Sequence, residues 1–242
     1  MIDREKLRVL AEGEGIPLSP EALARFDRYA ELLCEWNEKI NLTAITAPEE
    51  IVTKHFLDSL LLLQSAQPER GASLIDVGTG AGFPSLPCKL ARDDLRVTLL
   101  DSLNKRVLFL QEVTRELGLA EGNAAPVECV HFRAEEAGQA PDYREQYDLA
   151  TARAVAHLRE LSEYCLPFVK AGGRFVALKG ADVEQELAEA KPAIKLLGGQ
   201  VERVDEKKLP DGSGRSLIAI RKISQTSTKY PRSAAKMKKQ PL

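Results

Sequence analysis

The sequence predicts a doubly wound α/β domain preceded by a helical extension, and three observations predict it. A short apolar run, Leu74-Ile75-Asp76-Val77, is followed by glycine at positions 78, 80 and 82 and then by Phe83-Pro84. Strand, glycine-rich turn and helix start in that order form the nucleotide-cradling unit of a doubly wound sheet. Strand-like and helix-like stretches then alternate along the chain, which implies a mainly parallel sheet covered on both faces. Ahead of the first strand, residues 1–70 read as helices.

Within the extension, Ser19-Pro20-Glu21 is a helix start, with a capping serine, proline at the first helical position and an acid in the first turn. Leu23, Phe26, Ala30, Leu33 and Ile40 follow as an apolar stripe at near-helical spacing, and Asn41 and Thr43 break it. Thr46-Ala47-Pro48-Glu49 has capping-box spacing and leads a second helix through Ile51 to Leu63. Gln64 to Gly71 reads as a linker. Strands are expected near 73–77, 96–101, 127–132, 147–152 and 173–179, and helices near 84–91, 104–119, 157–168 and 183–197. Two closing β-rich runs, near 200–207 and 215–223, are joined by a Pro210-Asp211-Gly212-Ser213-Gly214 turn. They read as a hairpin, so one edge strand should be antiparallel.

At 242 residues, 44% of them hydrophobic, the chain can bury a sizeable core, and 29% charged residues suit a soluble surface. No apolar run reaches the roughly 18 residues that indicate a membrane span. Met1-Ile2-Asp3-Arg4-Glu5-Lys6 is mixed in charge, with no apolar signal region behind it. Cys34, Cys88, Cys129 and Cys165 lack C-x-x-C spacing and disulfide density, so reduced thiols and a cytoplasmic location are expected. The net charge of −2 hides an asymmetry: from Arg215 onward there are eight Lys or Arg and no acid, leaving 26 basic and 36 acidic residues before it. An acidic body with a basic tail suits phosphate contact, although such runs are more often simply solvated ends.

The glycine spacing separates two cofactors. A dinucleotide fingerprint, G-x-G-x-x-G, would place its third glycine at position 83, which is Phe83. The observed D-x-G-x-G-x-G resembles motif I of S-adenosylmethionine (AdoMet) methyltransferases. Asp76, Gly78, Gly80 and Gly82 are therefore candidate cofactor residues. Asp101, at the end of the next strand, is placed to accept the ribose hydroxyls. The expected architecture is that of a class I, Rossmann-like AdoMet-dependent methyltransferase with a seven-stranded sheet. A helical extension (1–70), an AdoMet-binding domain (71–223) and a basic tail (224–242) divide the chain.

The loop after the fourth strand bears on the atom methylated. Exocyclic amines usually call for D/N-P-P-Y/F there, and C5 of a pyrimidine calls for a cysteine nucleophile. Here the chain reads Thr151-Ala152-Arg153-Ala154. Cys88 lies on the helix after the glycine loop and reads as a core thiol. Guanine N7 has a lone pair and no proton to lose, so in-line placement and desolvation suffice without a general base. Its neighbour O6 is an acceptor that Arg or Lys can address, and Arg153 and Lys179 are the candidates for that positioning role. For each, the alternative is a surface cation or a phosphate contact.

Several segments then line up in order with one family: Glu35 to Ile45, His55 to Leu60, Asp76 to Pro84, Asn104 to Leu110, Arg133-Ala134-Glu135, Arg153-Ala154-Val155, Leu178-Lys179-Gly180 and Lys229-Tyr230-Pro231-Arg232. From about residue 32 onward the chain closely resembles the bacterial ribosomal RNA small subunit methyltransferase G family, also called glucose-inhibited division protein B. One departure is Ser85-Leu86, where the family usually has Pro-Gly-Ile/Leu. The resemblance implies AdoMet-dependent N7 methylation of one guanosine in the decoding-region loop of 16S rRNA. The implied partner is that rRNA or its small-subunit ribonucleoprotein, with no DNA or membrane, and a monomeric enzyme is expected. Carried over by resemblance, Gly78 and Phe83 contact the cofactor, Ala134 and Glu135 flank its adenine, and Arg153 sits beside it. Arg133, Lys229, Arg232, Lys236, Lys238 and Lys239 are the candidate RNA contacts. His131 and His157 show no metal-ligand spacing, and no metal is expected. Two other readings are an NAD(P)-dependent oxidoreductase, which the Gly82-Phe83 spacing disfavours, and a catalytically silent AdoMet-binding RNA chaperone.

Overall fold

A computed structural model describes residues 1–120, 122–153 and 156–242. Ala154 and Val155, in one of the matched segments, lie outside them. The extension forms α1 (Arg4–Gly13) and α2 (Pro20–Ile40), followed by a continuous helical run. That run begins as α3 (Pro48–Glu50), loosens into a π-helix (Ile51–Leu57) and continues as α4 (Asp58–Ala66). Ser19 caps α2 by accepting from the Ala22 amide, and Asn41 closes it in the left-handed region. The capping box expected at Thr46 does not form, because Ala47 holds the cap position and gives no side-chain bond. The π-helical turn that follows places His55 and Asp58 toward the sheet.

The remainder is a seven-stranded sheet in the order β3-β2-β1-β4-β5-β7-β6. Its strands are β1 (Ser73–Val77), β2 (Arg96–Asp101), β3 (Glu128–His131), β4 (Tyr147–Arg153), β5 (Val169–Lys179), β6 (Gly199–Lys208) and β7 (Gly214–Lys222). The pairings β3-β2, β2-β1, β1-β4 and β4-β5 are parallel. The β6–β7 hairpin supplies the antiparallel edge: β7 pairs antiparallel with both β5 and β6, leaving β6 outermost. The helices are α5 (Ser85–Ala91), α6 (Asn104–Glu116), α7 (Ala134–Ala137), α8 (Leu158–Cys165), α9 (Glu184–Leu196) and α10 (Ala234–Lys239).

Strand alternation sends neighbouring side chains into two cores. Leu74, Leu149, Val176, Leu178 and Leu217 join the extension, α5 and α6 on one face. Ile75, Ala150, Ala177, Phe175 and Ile218 join α8 and α9 on the other. The extension thus shares one sheet-covering layer with α5 and α6. Tyr29 of α2 donates its hydroxyl hydrogen to the carbonyl of Ala81 in the glycine loop.

Candidate cofactor and acceptor site

In doubly wound sheets, ligands bind beyond the carboxyl ends of the strands, where the strand order reverses. Here β1 lies between β2 and β4, and two clefts meet at the loop that leaves it. One, about 460 Å³, is lined by Gly78, Asp101, Phe132, Ala134, Glu135 and Tyr164, with Lys238 of α10 at its edge. The other, about 420 Å³, is lined by Thr43, His55, Gly80, Phe83, Arg106 and Arg153. Gly78, Asp101 and Ser102 border both. A third cleft of about 350 Å³ adjoins the second through His55 and Arg153. A larger cleft of about 620 Å³ lies at the opposite ends of the strands and contains none of the predicted site residues.

The three glycines of the loop all have positive φ, +71°, +63° and +97° for Gly78, Gly80 and Gly82. A Cβ on Gly80 would project into open space. At Gly82 it would meet Leu86 Cδ1 at 2.5 Å and the Tyr29 hydroxyl at 2.7 Å. Gly82 therefore serves close packing against α2 and α5, and it lines neither cleft. Asp76 also lies outside the lining of both clefts. It is fully buried beneath the loop, where Oδ2 accepts from Thr79 Oγ1 at 2.8 Å and from the Ser85 amide at 3.2 Å. Burial pushes its carboxyl up to about 7, and its Oδ1 has no hydrogen-bond partner. Asp76 shapes the loop from behind. Ser85, the departure from the family pattern, is the residue whose amide it receives.

Asp101 is also largely enclosed, yet it borders both clefts. Its Oδ1 accepts from the Leu103 amide at 2.9 Å, and Oδ2 accepts from the Gly80 amide at 3.0 Å and Arg106 Nη1 at 3.4 Å. These bonds fix the carboxylate between the glycine loop and α6. Glu135 accepts from Arg133 Nε at 2.9 Å, so the exposed Arg133 is tethered at the cleft rim.

Arg153 is held more firmly than the sequence suggests. Nη1 donates to Asp58 Oδ2 at 3.0 Å and to the Lys54 carbonyl at 3.2 Å, and Nη2 donates to His55 Nδ1 at 3.3 Å. Its guanidinium carbon lies 4.8 Å from the centre of the Phe83 ring, which also stacks on His55 at 4.4 Å. Burial, reinforced by Arg153, holds His55 down at about 3, so its ring is neutral. With Nδ1 accepting, Nε2 carries the proton and donates to Thr43 Oγ1 at 2.8 Å, which in turn accepts from the Ile45 amide. Arg153, Phe83, His55, Thr43 and Asp58 thus form one clamp. Asp58 pairs with Arg153, and His55 reaches Asp58 only through it.

Lys179 is likewise committed: its Nζ lies 2.5 Å from Glu186 Oε1 and 2.6 Å from the Ala156 carbonyl. Both partners hold the ammonium at the end of β5. Arg232 is committed in the same way, pairing with the buried Glu163 at 2.7 Å. The tail around it is packed onto the domain. Arg144 donates to the carbonyls of Thr226, Ser227 and Tyr230, and Met237 is buried. Lys229, Lys236, Lys238 and Lys239 are all exposed, and Lys238 also borders the first cleft. Cys88 is buried and its thiol donates to the Ser59 carbonyl at 3.3 Å, with burial raising its pKa well above the usual thiol range. Among the described residues, no helix is long and apolar enough to cross a membrane.

The donor set suits AdoMet: a glycine loop open at Gly80, carboxylates at Asp101 and Glu135 and aromatic walls at Phe132 and Tyr164. Comparison with known proteins agrees. Residues 22–217 match the family profile described as rRNA small subunit methyltransferase G. The ribosomal RNA small subunit methyltransferase G of Alkaliphilus metalliredigens is 53% identical over 88% of this chain and 88% of its own length. That of a Geobacillus species is 44% identical over all of both chains. The fold matches a SAM-dependent methyltransferase from Aquifex aeolicus with a TM-score of 0.51 at 20% identity, over 72% of this chain and 93% of that one.

Proposed function

Because the chain belongs to the rRNA small subunit methyltransferase G family, we propose that it methylates N7 of one guanosine in the decoding-region loop of 16S rRNA. The observation that carries the choice of atom is the Arg153–His55 clamp. His55 is neutral and has both ring nitrogens in hydrogen bonds, and Arg153 is spent on Asp58, the Lys54 carbonyl and His55. Neither serves as a general base, which suits an acceptor that has no proton to lose. Bound AdoMet supplies an electrophilic methyl group on a sulfonium.

The chain's own residues bind, orient and exclude water. Gly78 and Gly80 let backbone approach the cofactor. Asp101 accepts from the ribose, and Ala134 and Glu135 receive the adenine within the first cleft. Phe83 and Arg153 wall the second cleft, where the acceptor base enters and loses water. The placement is worth far more than any single bond, since good orientation alone contributes about 7–11 kcal/mol toward a bimolecular barrier. In this reading residues 71–223 hold the cofactor, 1–70 close the acceptor side, and the exposed tail cations Lys229, Lys236 and Lys239 meet RNA phosphates.

The test is nucleoside mapping of 16S rRNA from a strain lacking its own enzyme. Expression of this chain should restore a single 7-methylguanosine in the decoding-region loop. Restoration of a methyl at another atom, or none, overturns the reading.

A further inference from the structure

The third cleft is separated from the glycine loop by the His55–Arg153 pair, and no residue between Gly78 and Phe83 lines it. Its walls carry four cations, Lys54, Arg153, Lys179 and Arg215, and a single acid, Asp58. Two of the cations have partners outside the lining: Lys54 pairs with Glu50 at 2.6 Å and with Asp211 at 3.7 Å, and Lys179 with Glu186 at 2.5 Å. The other two share one carboxylate. Asp58 Oδ2 takes Arg153 at 3.0 Å and Oδ1 takes Arg215 Nε at 2.8 Å, while Asp58 is only 5% exposed. Asp211 carries the remaining acid near Arg215 but lies outside the lining, so the two guanidiniums share Asp58 as their only carboxylate inside the cleft.

Hydrogen bonding separates the two guanidiniums. Both Nη groups of Arg153 are engaged, whereas Arg215 spends Nε on Asp58 and Nη1 on the Gly214 carbonyl at 2.9 Å. Its Nη2 has no hydrogen-bond partner among the described residues. A guanidinium is weakly hydrated, holds its charge at any working pH, and matches the oxygens of a phosphate with its planar fork. Held at the first residues of β7 by a nearly buried carboxylate, Arg215 is aimed before any ligand arrives.

We infer that Arg215, oriented by Asp58, grips a backbone phosphate of the RNA strand that delivers the acceptor guanosine. The inference rests on the proposed rRNA reaction. The unengaged Nη2 of an anchored guanidinium suits a phosphate oxygen, and the cleft adjoins the acceptor side of the clamp while standing apart from the cofactor loop. Asp58 acts as a positioning residue through both guanidiniums.

The experiment uses full-length protein with AdoMet and small ribosomal subunits lacking the modification. Arg215→Ala should raise KM for the subunit about tenfold, with AdoMet affinity unchanged. The slope of log affinity against log salt should flatten by about 0.7, one single-strand phosphate contact. Arg153 still neutralises Asp58 in that variant, so the fold is expected to persist. Arg215→Lys should keep the slope while losing affinity, since it keeps the charge and loses the fork. Asp58→Asn should also raise KM at an unchanged slope, because both cations remain and only their aim is lost. A wild-type KM and slope in Arg215→Ala, with the wild type forming 7-methylguanosine, overturns the inference alone. No 7-methylguanosine from the wild type overturns the reaction beneath it.

Discussion

Removing the Arg232 side chain should destabilise the whole protein, even though the residue sits in a basic tail near the C-terminus. Glu163 is 1% exposed, and Arg232 surrounds it. Oε1 accepts from the Arg232 amide at 2.9 Å and Nε at 2.8 Å, and Oε2 accepts from Nη2 at 2.7 Å. Arg232→Ala leaves the backbone bond and strands the carboxylate, and breaking one partner of a buried pair costs about 3–5 kcal/mol. The Arg232 side chain is 12% exposed, so water can reach the vacated space and the lower end, about 3 kcal/mol, is expected. For a chain of this size each kcal/mol moves Tm by about 2–4 °C, giving a fall of about 6–12 °C. Because α10 follows directly and brings Lys238 to the first cleft, AdoMet affinity should fall as well. Calorimetric unfolding and AdoMet titration measure both. Adding Glu163→Leu to Arg232→Ala removes the stranded charge and should recover part of the loss. A Tm within about 2 °C of wild type for Arg232→Ala would refute the reasoning and return the residue to solution as a free cation.

Two further predictions concern pH and have opposite signs. Burial raises Asp76 from 3.8 to about 7, so the folded protein keeps a proton that the unfolded chain releases. Its contribution is full below pH 3.8 and is lost as pH rises to 7, at about 1.4 kcal/mol per unit and about 4 kcal/mol in all. Asp76→Asn should flatten that decline in urea unfolding between pH 4 and 8; an unchanged profile counts against a buried, proton-holding carboxyl. Burial and Arg153 lower His55 from 6.5 to about 3, so the unfolded chain takes up a proton that the folded ring refuses. Stability from that group is present above pH 6.5 and lost as pH falls toward 3, opposing Asp76 between pH 4 and 6.5. His55→Gln keeps hydrogen-bonding groups toward Thr43 and Arg153 and should remove this acid sensitivity; an acid limb identical to wild type would sink the assignment.

What the sequence made legible follows the range of the interactions. Strand and helix positions rest on local period and on glycine and proline punctuation, and β1, β2, α5 and the closing hairpin lie within a residue or two of expectation. The capping box at Thr46 failed on a local rule overridden by packing, since Ile51, Val52, Phe56 and Leu57 are all buried and the helix loosens to seat them. At the site, the motif puts four residues into one pattern that the fold then divides. Asp76 and Gly82 share a pattern with Gly78 and Gly80, yet they face inward, and pattern alone does not say on which side of a tight turn a residue lies. The clamp was the least readable part. Asp58 meets Arg153 and Arg215 across 95 and 157 positions of sequence, and a lone acid on a helix or a lone arginine on a strand reads as a solvated charge. Only the fold shows that the three share one enclosure. The unengaged Nη2 that singles out Arg215 depends on counting partners in space, and no spacing in the chain encodes that count.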